Sequence, residues 1–403
     1  MTPSHASFSG LGIDLSMLGL IDRLGFRVPT PIQHKAIPLA IQGTDIIGIA
    51  QTGTGKTLAF GIPLVQRLAA QPGRALVLVP TRELAAQVNE ALTPLARACN
   101  IRTAVLIGGA SLYGQMQELR RHPRILIATP GRLNDHLDRR HLRLDDVGIL
   151  ILDEADRMLD MGFLPQIDRI LKRVPRERQT MLFSATLPPA ILSIASAHMR
   201  LPVRTEIAPS GTAAERVSQE LFVVPHDMKR QILEALLNEY DGPVLLFVRT
   251  RRAAARVARQ LAKSGHAAAE IHADRTPSQR TRALQGFKSG AHRILVATDI
   301  AARGIDVTGI ELVINYDLPD EPENYVHRIG RTGRAGTAGH AITLATPDQA
   351  AEVRRIERII RASIPQSEHP SVPARRLQES PSRPSGSSRG ARGPRRFGRR
   401  RFR

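Results

Sequence analysis

The stretch AQTGTGKT, residues Ala50 to Thr57, has the spacing of a phosphate-binding loop, with Ala50 where the general pattern starts on Gly. Around Gly53, Thr54 and Gly55 the backbone N–H groups can cradle phosphate oxygens at the start of a helix. Lys56 would neutralise the β- and γ-phosphates, and the Thr57 hydroxyl would take a coordination place on Mg²⁺. The apolar run ILIL leads into Asp153-Glu154-Ala155-Asp156. There Asp153 would hold Mg²⁺, largely through its water shell, and Glu154 could orient and deprotonate an attacking water. Together these groups suit hydrolysis of a nucleoside triphosphate. HRIGRTGR adds Arg328, Arg331 and Arg334 at steps of three, one face of a helix, with His327 beside them. Guanidiniums brought to a triphosphate from elsewhere in the chain can spread transition-state charge.

Such residues need strand ends to hold them. The runs DIIGIA, RALVLVP, TAVLIGG, RILIATP, VGILILD and TMLFSAT alternate with amphipathic stretches and mostly run into polar, Gly- or Pro-bearing turns. That alternation predicts a parallel sheet covered by helices, which binds ligands at the carboxyl ends of its strands. After IAPSGTAAERV, a linker at 207–217, the pattern restarts with QELFVVP, PVLLFVRT, AAAEIHAD, RILVATD, LVINYDLP and AITLAT. The chain is therefore expected to hold two α/β domains, 1–206 and 218–363, without a residue-level repeat between them. Residues 364–403, rich in Pro, Ser, Gly and Arg, are expected to form a disordered tail.

The formal net charge of the 403 residues is +20, and residues 371–403 alone carry 11 Arg against one Glu. A basic balance of this size points to an anionic polymer as partner. The single Cys99 excludes an internal disulfide framework and a multi-cysteine metal site. MTPSHASFSGLGIDL lacks the basic start and apolar core of a leader, and no long apolar run follows, so a cytoplasmic protein without membrane contact is expected. Aromatic residues make up 3% of the chain, too few for extended base-stacking platforms.

AQTGTGKT, DEAD, SAT at 184–186 and YVHRIGRTGRAG at 325–336 occur in this order, and over residues 8–345 the chain resembles the DEAD-box RNA helicases. The resemblance implies two RecA-like domains and ATP hydrolysis with Mg²⁺, stimulated by RNA and coupled to local, non-processive unwinding or remodelling of RNA. GFRVPTPIQ, residues 25–33, resembles the segment that reads adenine. A carboxamide such as Gln33 can both donate to and accept from the N6/N7 edge of that base, and Phe8 stands where the family has an aromatic that stacks on it. By resemblance Arg331 and Arg334 are the arginine fingers and Asp306 contacts the ribose. Likewise Thr81, Arg82, Gly109, Thr129, Arg132 and Thr298 grip the RNA backbone without reading bases. Ser184, Thr186 and His327 would couple hydrolysis to strand separation. Ala273 and Pro277 depart from the family pattern, which usually has Gly and often Gln there. The Arg-rich tail should add RNA affinity that falls with salt. A monomer working in ribosome assembly or RNA decay fits these features. Two alternatives are a DNA helicase of the same superfamily and an ATP-switched RNA clamp.

Overall fold

The computed structural model describes residues 7–50, 53–206, 217–302, 307, 309–333, 339–373 and 375–378. The first half runs α1 (Leu15–Arg23), α2 (Pro31–Ile41), β1 (Ile46–Ile49), α3 (Lys56–Ala70), β2 (Arg74–Leu78), α4 (Arg82–Ala98), β3 (Thr103–Leu106) and α5 (Leu112–Leu119). It continues β4 (Ile125–Ala128), α6 (Pro130–Asp138), β5 (Val147–Asp153), α7 (Ala155–Asp160), α8 (Leu164–Leu171), β6 (Gln179–Ser184), α9 (Pro189–His198) and β7 (Val203–Glu206). The second half comprises β8 (Val217–Val223), α10 (Lys229–Glu239), β9 (Val244–Phe247), α11 (Arg251–Lys263), β10 (Ala268–Ile271), α12 (Pro277–Lys288) and β11 (Ile294–Ala297). It closes with α13 (Asp299–Ala302), β12 (Leu312–Asn315), α14 (Glu323–Ile329), β13 (Gly339–Ala345), α15 (Ala350–Ile360) and β14 (Gln366–Ser367).

Each half is a seven-stranded parallel sheet, ordered β3-β4-β2-β5-β6-β1-β7 and β10-β11-β9-β12-β13-β8-β14. Taken in chain order within each half, the two sequences of strands are the same. The central strands are continuous apolar runs because helices cover both of their faces. Ile149 and Ile151 join the core on one face of the first sheet, while Leu150 and Leu152 join the core on the other. In the second sheet Leu245 and Phe247 take one face and Val244 and Leu246 the opposite one. The two-domain α/β architecture expected from the alternating runs is thus present. β7 and β14, which close one edge of each sheet, were not among the expected strands.

Of the expected linker, 207–216 lies outside the described residues, and Val217 opens β8. The expected tail starts too early. Residues Gln366 and Ser367 pair as β14 with Leu221 and Phe222 of β8, and Leu221 N donates to Pro365 O at 2.8 Å. Ile364 and Val372 are buried, and Leu377 packs against the second-half core. These isolated apolar residues need no periodicity of their own, because each fills the edge of a core built elsewhere. Residues 379–403 lie outside the described residues. No helix among the described residues is long and apolar enough to cross a membrane.

Candidate active site and nucleic-acid interface

Strand order brings the nucleotide-binding stretches together. β5, β6 and β1 are neighbours, with Asp153 level with Phe183 and Ile49 level with Ser184. The phosphate loop, the acidic group and SAT therefore leave adjacent strand ends. Gly55 sits at φ +88°, and a Cβ there would strike the Gln33 amide, so both backbone and space require glycine. Lys56, only 6% exposed, donates from Nζ to Ala50 O at 3.0 Å. Phosphate binding at Lys56 would exchange that carbonyl for a phosphate oxygen. Gln33 accepts from Thr30 N at 2.9 Å and donates to Gly55 O at 3.0 Å, pinning the loop to the start of α2. A carboxamide has a second hydrogen and a further lone pair, so this anchoring is compatible with base recognition.

The acidic residues divide their work. Asp153 is buried and accepts from Glu154 N at 3.0 Å; burial pushes its carboxyl up to about 6, against the pull of Lys56. An Asp carboxylate and a Thr hydroxyl are both hard oxygen donors. That suits Mg²⁺, which keeps several waters and shares phosphate oxygens. Glu154 has left-handed φ 51° and ψ 53°, a costly conformation for a side chain of its size and one found at functional turns. Burial alone would raise its carboxyl, but Arg157, Lys56 and Arg331 together hold it well below the usual range. Arg157 Nη1 donates to Glu154 Oε2 at 2.6 Å. Asp156 accepts from Ala185 N at 3.1 Å, Thr186 N at 2.9 Å and Thr186 Oγ1 at 2.9 Å, while its own N–H donates to Ser184 Oγ at 3.1 Å. Asp156 therefore ties the acidic group to SAT.

A narrow cavity has Lys56, Glu154, Asp156, Arg157 and Ala185 of the first half on one side and His327 and Arg331 of the second on the other. Arg331 is 3% exposed and donates from Nε to His327 O at 3.3 Å. The expected one-face stripe does not form: α14 ends at Ile329, and Arg331 follows Gly330 in a turn. Arg328 instead turns into its own domain. It grips Asp299 with bonds of 2.6 and 2.7 Å, donates to Asn315 Oδ1 at 3.2 Å, and lies 5.0 Å from the Phe247 ring centroid. Phe8 is 4% exposed and belongs to the first-half core, so its ring is covered by protein and offers no open stacking face. Asp306 and Arg334 lie outside the described residues.

The other half of each sheet carries the expected RNA residues. PTRELAAQ, GG and TPGR follow β2, β3 and β4, which adjoin one another, and VRT and ATD follow neighbouring β9 and β11. Thr81 accepts from Leu84 N at 3.2 Å and so caps α4; Thr129 precedes α6, and Thr298 precedes α13. A Cβ at Gly109 would collide with the Arg82 guanidinium. Burial lowers the Arg82 pKa, Glu83 opposes this, and the nearby Arg280 and Arg132 cations lower it further. Arg280 of α12 pairs with Glu83 of α4 at 2.9 Å, joining the halves beside Arg82. At the flagged departure, Pro277 occupies the first turn of α12, where its missing N–H costs nothing, and Thr276 and Gln279 form a capping box.

Sequence reasoning missed the support under Arg132. Arg132 Nη1 donates to Ala110 O at 3.0 Å and to Gln115 Oε1 at 3.3 Å. Gln115 Nε2 donates to Ile107 O at 2.9 Å, so its oxygen must also accept from His136 Nε2 at 3.0 Å. His136 Nδ1 then accepts from His141 Nδ1 at 3.1 Å. Burial, with His141 and Arg132 nearby, lowers the fully buried His136 to about 4. Between pH 6.5 and about 4 the unfolded chain takes up a proton that the folded one excludes. Stability from this group is thus complete above pH 6.5 and is lost as pH falls towards 4. Urea unfolding across that window should show a shallower pH dependence for His136→Gln; an identical slope would contradict the neutral, buried imidazole.

Residues 30–194 match the DEAD/DEAH box helicase model and residues 228–336 the helicase conserved C-terminal domain. The chain is 43% identical over 370 residues to the DEAD-box ATP-dependent RNA helicase CshA of Geobacillus kaustophilus, covering 91% of this chain and 79% of that one. It is also 43% identical to the ATP-dependent RNA helicase CshA of Listeria monocytogenes, over 87% of this chain and 68% of the relative. Among solved structures, S. cerevisiae Dbp5 bound to RNA and ADP BeF3 aligns with a TM-score of 0.82 at 29% identity, over 91% of this chain and 96% of that one. A DEAD box protein from Methanococcus jannaschii reaches 0.54 at 37% identity, over 90% of this chain and 99% of that one. The Dbp5 alignment spans both halves of the chain. The two family domains, the site geometry and the relatives agree: the chain belongs to the DEAD-box ATP-dependent RNA helicase family.

Proposed function

We propose that the cleft hydrolyses ATP efficiently only when RNA holds the two halves together, and that the cycle of closure and release separates or remodels short RNA duplexes locally. The observation that carries this is the shared cavity, with Lys56 and Glu154 on one wall and Arg331 on the other. Neither half holds all three. Lys56 receives the phosphates and Glu154 takes the proton from water, while Asp153, largely through its water shell, and Thr57 would hold Mg²⁺, which would supply neutralisation of phosphate charge. Gln33 reads adenine from its anchored position. Asp156 passes movement of the acidic group to Ser184, Ala185 and Thr186 through four hydrogen bonds that a change at either end would disturb.

The RNA reading rests on Thr81, Arg82, Gly109, Thr129, Arg132 and Thr298, which present helix starts, backbone amides and guanidiniums at adjacent strand ends. Such groups fit phosphate and sugar and carry no base code. The Glu83–Arg280 bridge links these strips across the halves, so a strand lying along both would favour closure. Displacement of a short RNA duplex with ATP, and its failure with a non-hydrolysable analogue, is the direct test; stable ATP-dependent RNA binding without displacement would instead favour the clamp. Lys56→Ala should lower RNA-stimulated ATP turnover roughly 10²- to 10³-fold, the usual loss for one preorganised donor to developing charge. Turnover at the parent rate would remove the phosphate-loop assignment.

A further inference from the structure

The outer side of α15 lies apart from the cleft. We infer that it is a second RNA-docking surface, taking the phosphate backbone of a duplex that flanks the strand held in the cleft. Val353, Ile356 and Ile360 bury one side of the helix in the second-half core. Arg354, Arg355, Arg358 and Arg361 stand exposed on the other and edge an open groove. Glu357 also edges that groove, but its Oε1 accepts from Ile364 N at 2.9 Å, which turns its charge towards the body.

Arg361 has φ 55°, past the helix end where Gly or Asn is the usual occupant. An Arg there carries backbone strain and prolongs the cationic row. On a helix, Arg354 and Arg358 lie about 6 Å apart along the axis, and Arg361 continues the row to about 10 Å. A helical row of guanidiniums, with no aromatic among the described residues lining the groove, suits a regular phosphate backbone; a single strand is usually held by stacking as well. The position of the chain beyond supports the same occupant. Gln378 N donates to Pro347 O at 2.7 Å, just before α15, so residues 379–403, with nine Arg and one Glu, depart from the start of this helix. The described chain thus ends near the start of α15, and the residues that follow it add nine Arg to the four on the helix face.

This inference rests on the reading that the chain acts on RNA, and the test separates the two. The full chain and its triple variant Arg355→Gln/Arg358→Gln/Arg361→Gln would be titrated with a short single strand and with the same strand carrying a duplex flank, over a range of salt. For the flanked RNA the variant should bind about tenfold more weakly, with a salt slope smaller by roughly two to three. Single-strand affinity and RNA-free ATP turnover should stay at the parent values, and the corresponding triple Lys variant should recover the slope. Parent-like binding of the flanked RNA, or equal losses for both RNAs, would overturn the docking surface; parent-like binding would leave an acidic protein as the fitting partner. Failure of RNA to stimulate the parent's ATP turnover would instead overturn the underlying RNA reading.

Discussion

Glu154→Gln is expected to lower RNA-stimulated ATP turnover by roughly 10²- to 10⁴-fold, the range for loss of a positioned general base, while ATP still binds. The substitution keeps shape and removes basicity. Glu154 projects from a left-handed turn at the end of β5, with Arg157 at 2.6 Å and Lys56 and Arg331 close by. In this arrangement three cations hold the carboxyl deprotonated and weakly basic. Phosphate arriving at Lys56 and Arg331 would draw two of them away, so proton affinity should rise when there is a water to activate. The variant should therefore bind nucleotide and RNA in a long-lived complex. Single-turnover hydrolysis and nucleotide binding measured on the same preparation check both parts. Turnover at the parent rate would mean that another group takes the proton.

Much of this site is legible in the sequence, because its chemistry is local. AQTGTGKT and DEAD each sit within one strand-to-turn segment, so their residue types and spacing describe the cradle and the acidic group directly. Strand order is different. Periodicity identifies β5, β6 and β1, yet only the folded sheet makes them neighbours and thereby gives Asp156 its bonds to Ala185 and Thr186. The Gln115–His136–His141 chain under Arg132 is hidden for the same reason: an isolated histidine in sequence does not say which amide it meets. Arginine spacing misled where a helix stopped early. α14 ends at Ile329, so Arg331 follows in a turn and lines the cleft, while Arg328, still inside the helix, pairs with Asp299. Phe8 shows the converse limit, since an aromatic that can stack on a base can equally fill a core.

Arg331→Ala should reduce RNA-stimulated ATP turnover by roughly 10³- to 10⁵-fold, the range reported for supplied arginine fingers. Its guanidinium is the second half's cationic group lining the described cavity beside His327, and Glu154 feels its charge across the cleft. Because the groups come from opposite domains, the loss should fall on turnover and leave ATP binding to the first half nearly intact. Lys at this position would keep the charge but lose the planar fork that can reach two phosphate oxygens, so Arg331→Lys should recover only a small part of the rate. Arg328→Ala gives the contrast. Removing it strips Asp299 of a buried two-bond partner and should lower the unfolding midpoint of the second half, whereas Arg331→Ala should not. Rates measured at saturating RNA and ATP, beside thermal unfolding of both variants, separate the two arginines. A matching loss of stability in Arg331→Ala would assign it to packing, and hydrolysis would then need no cation from the second domain.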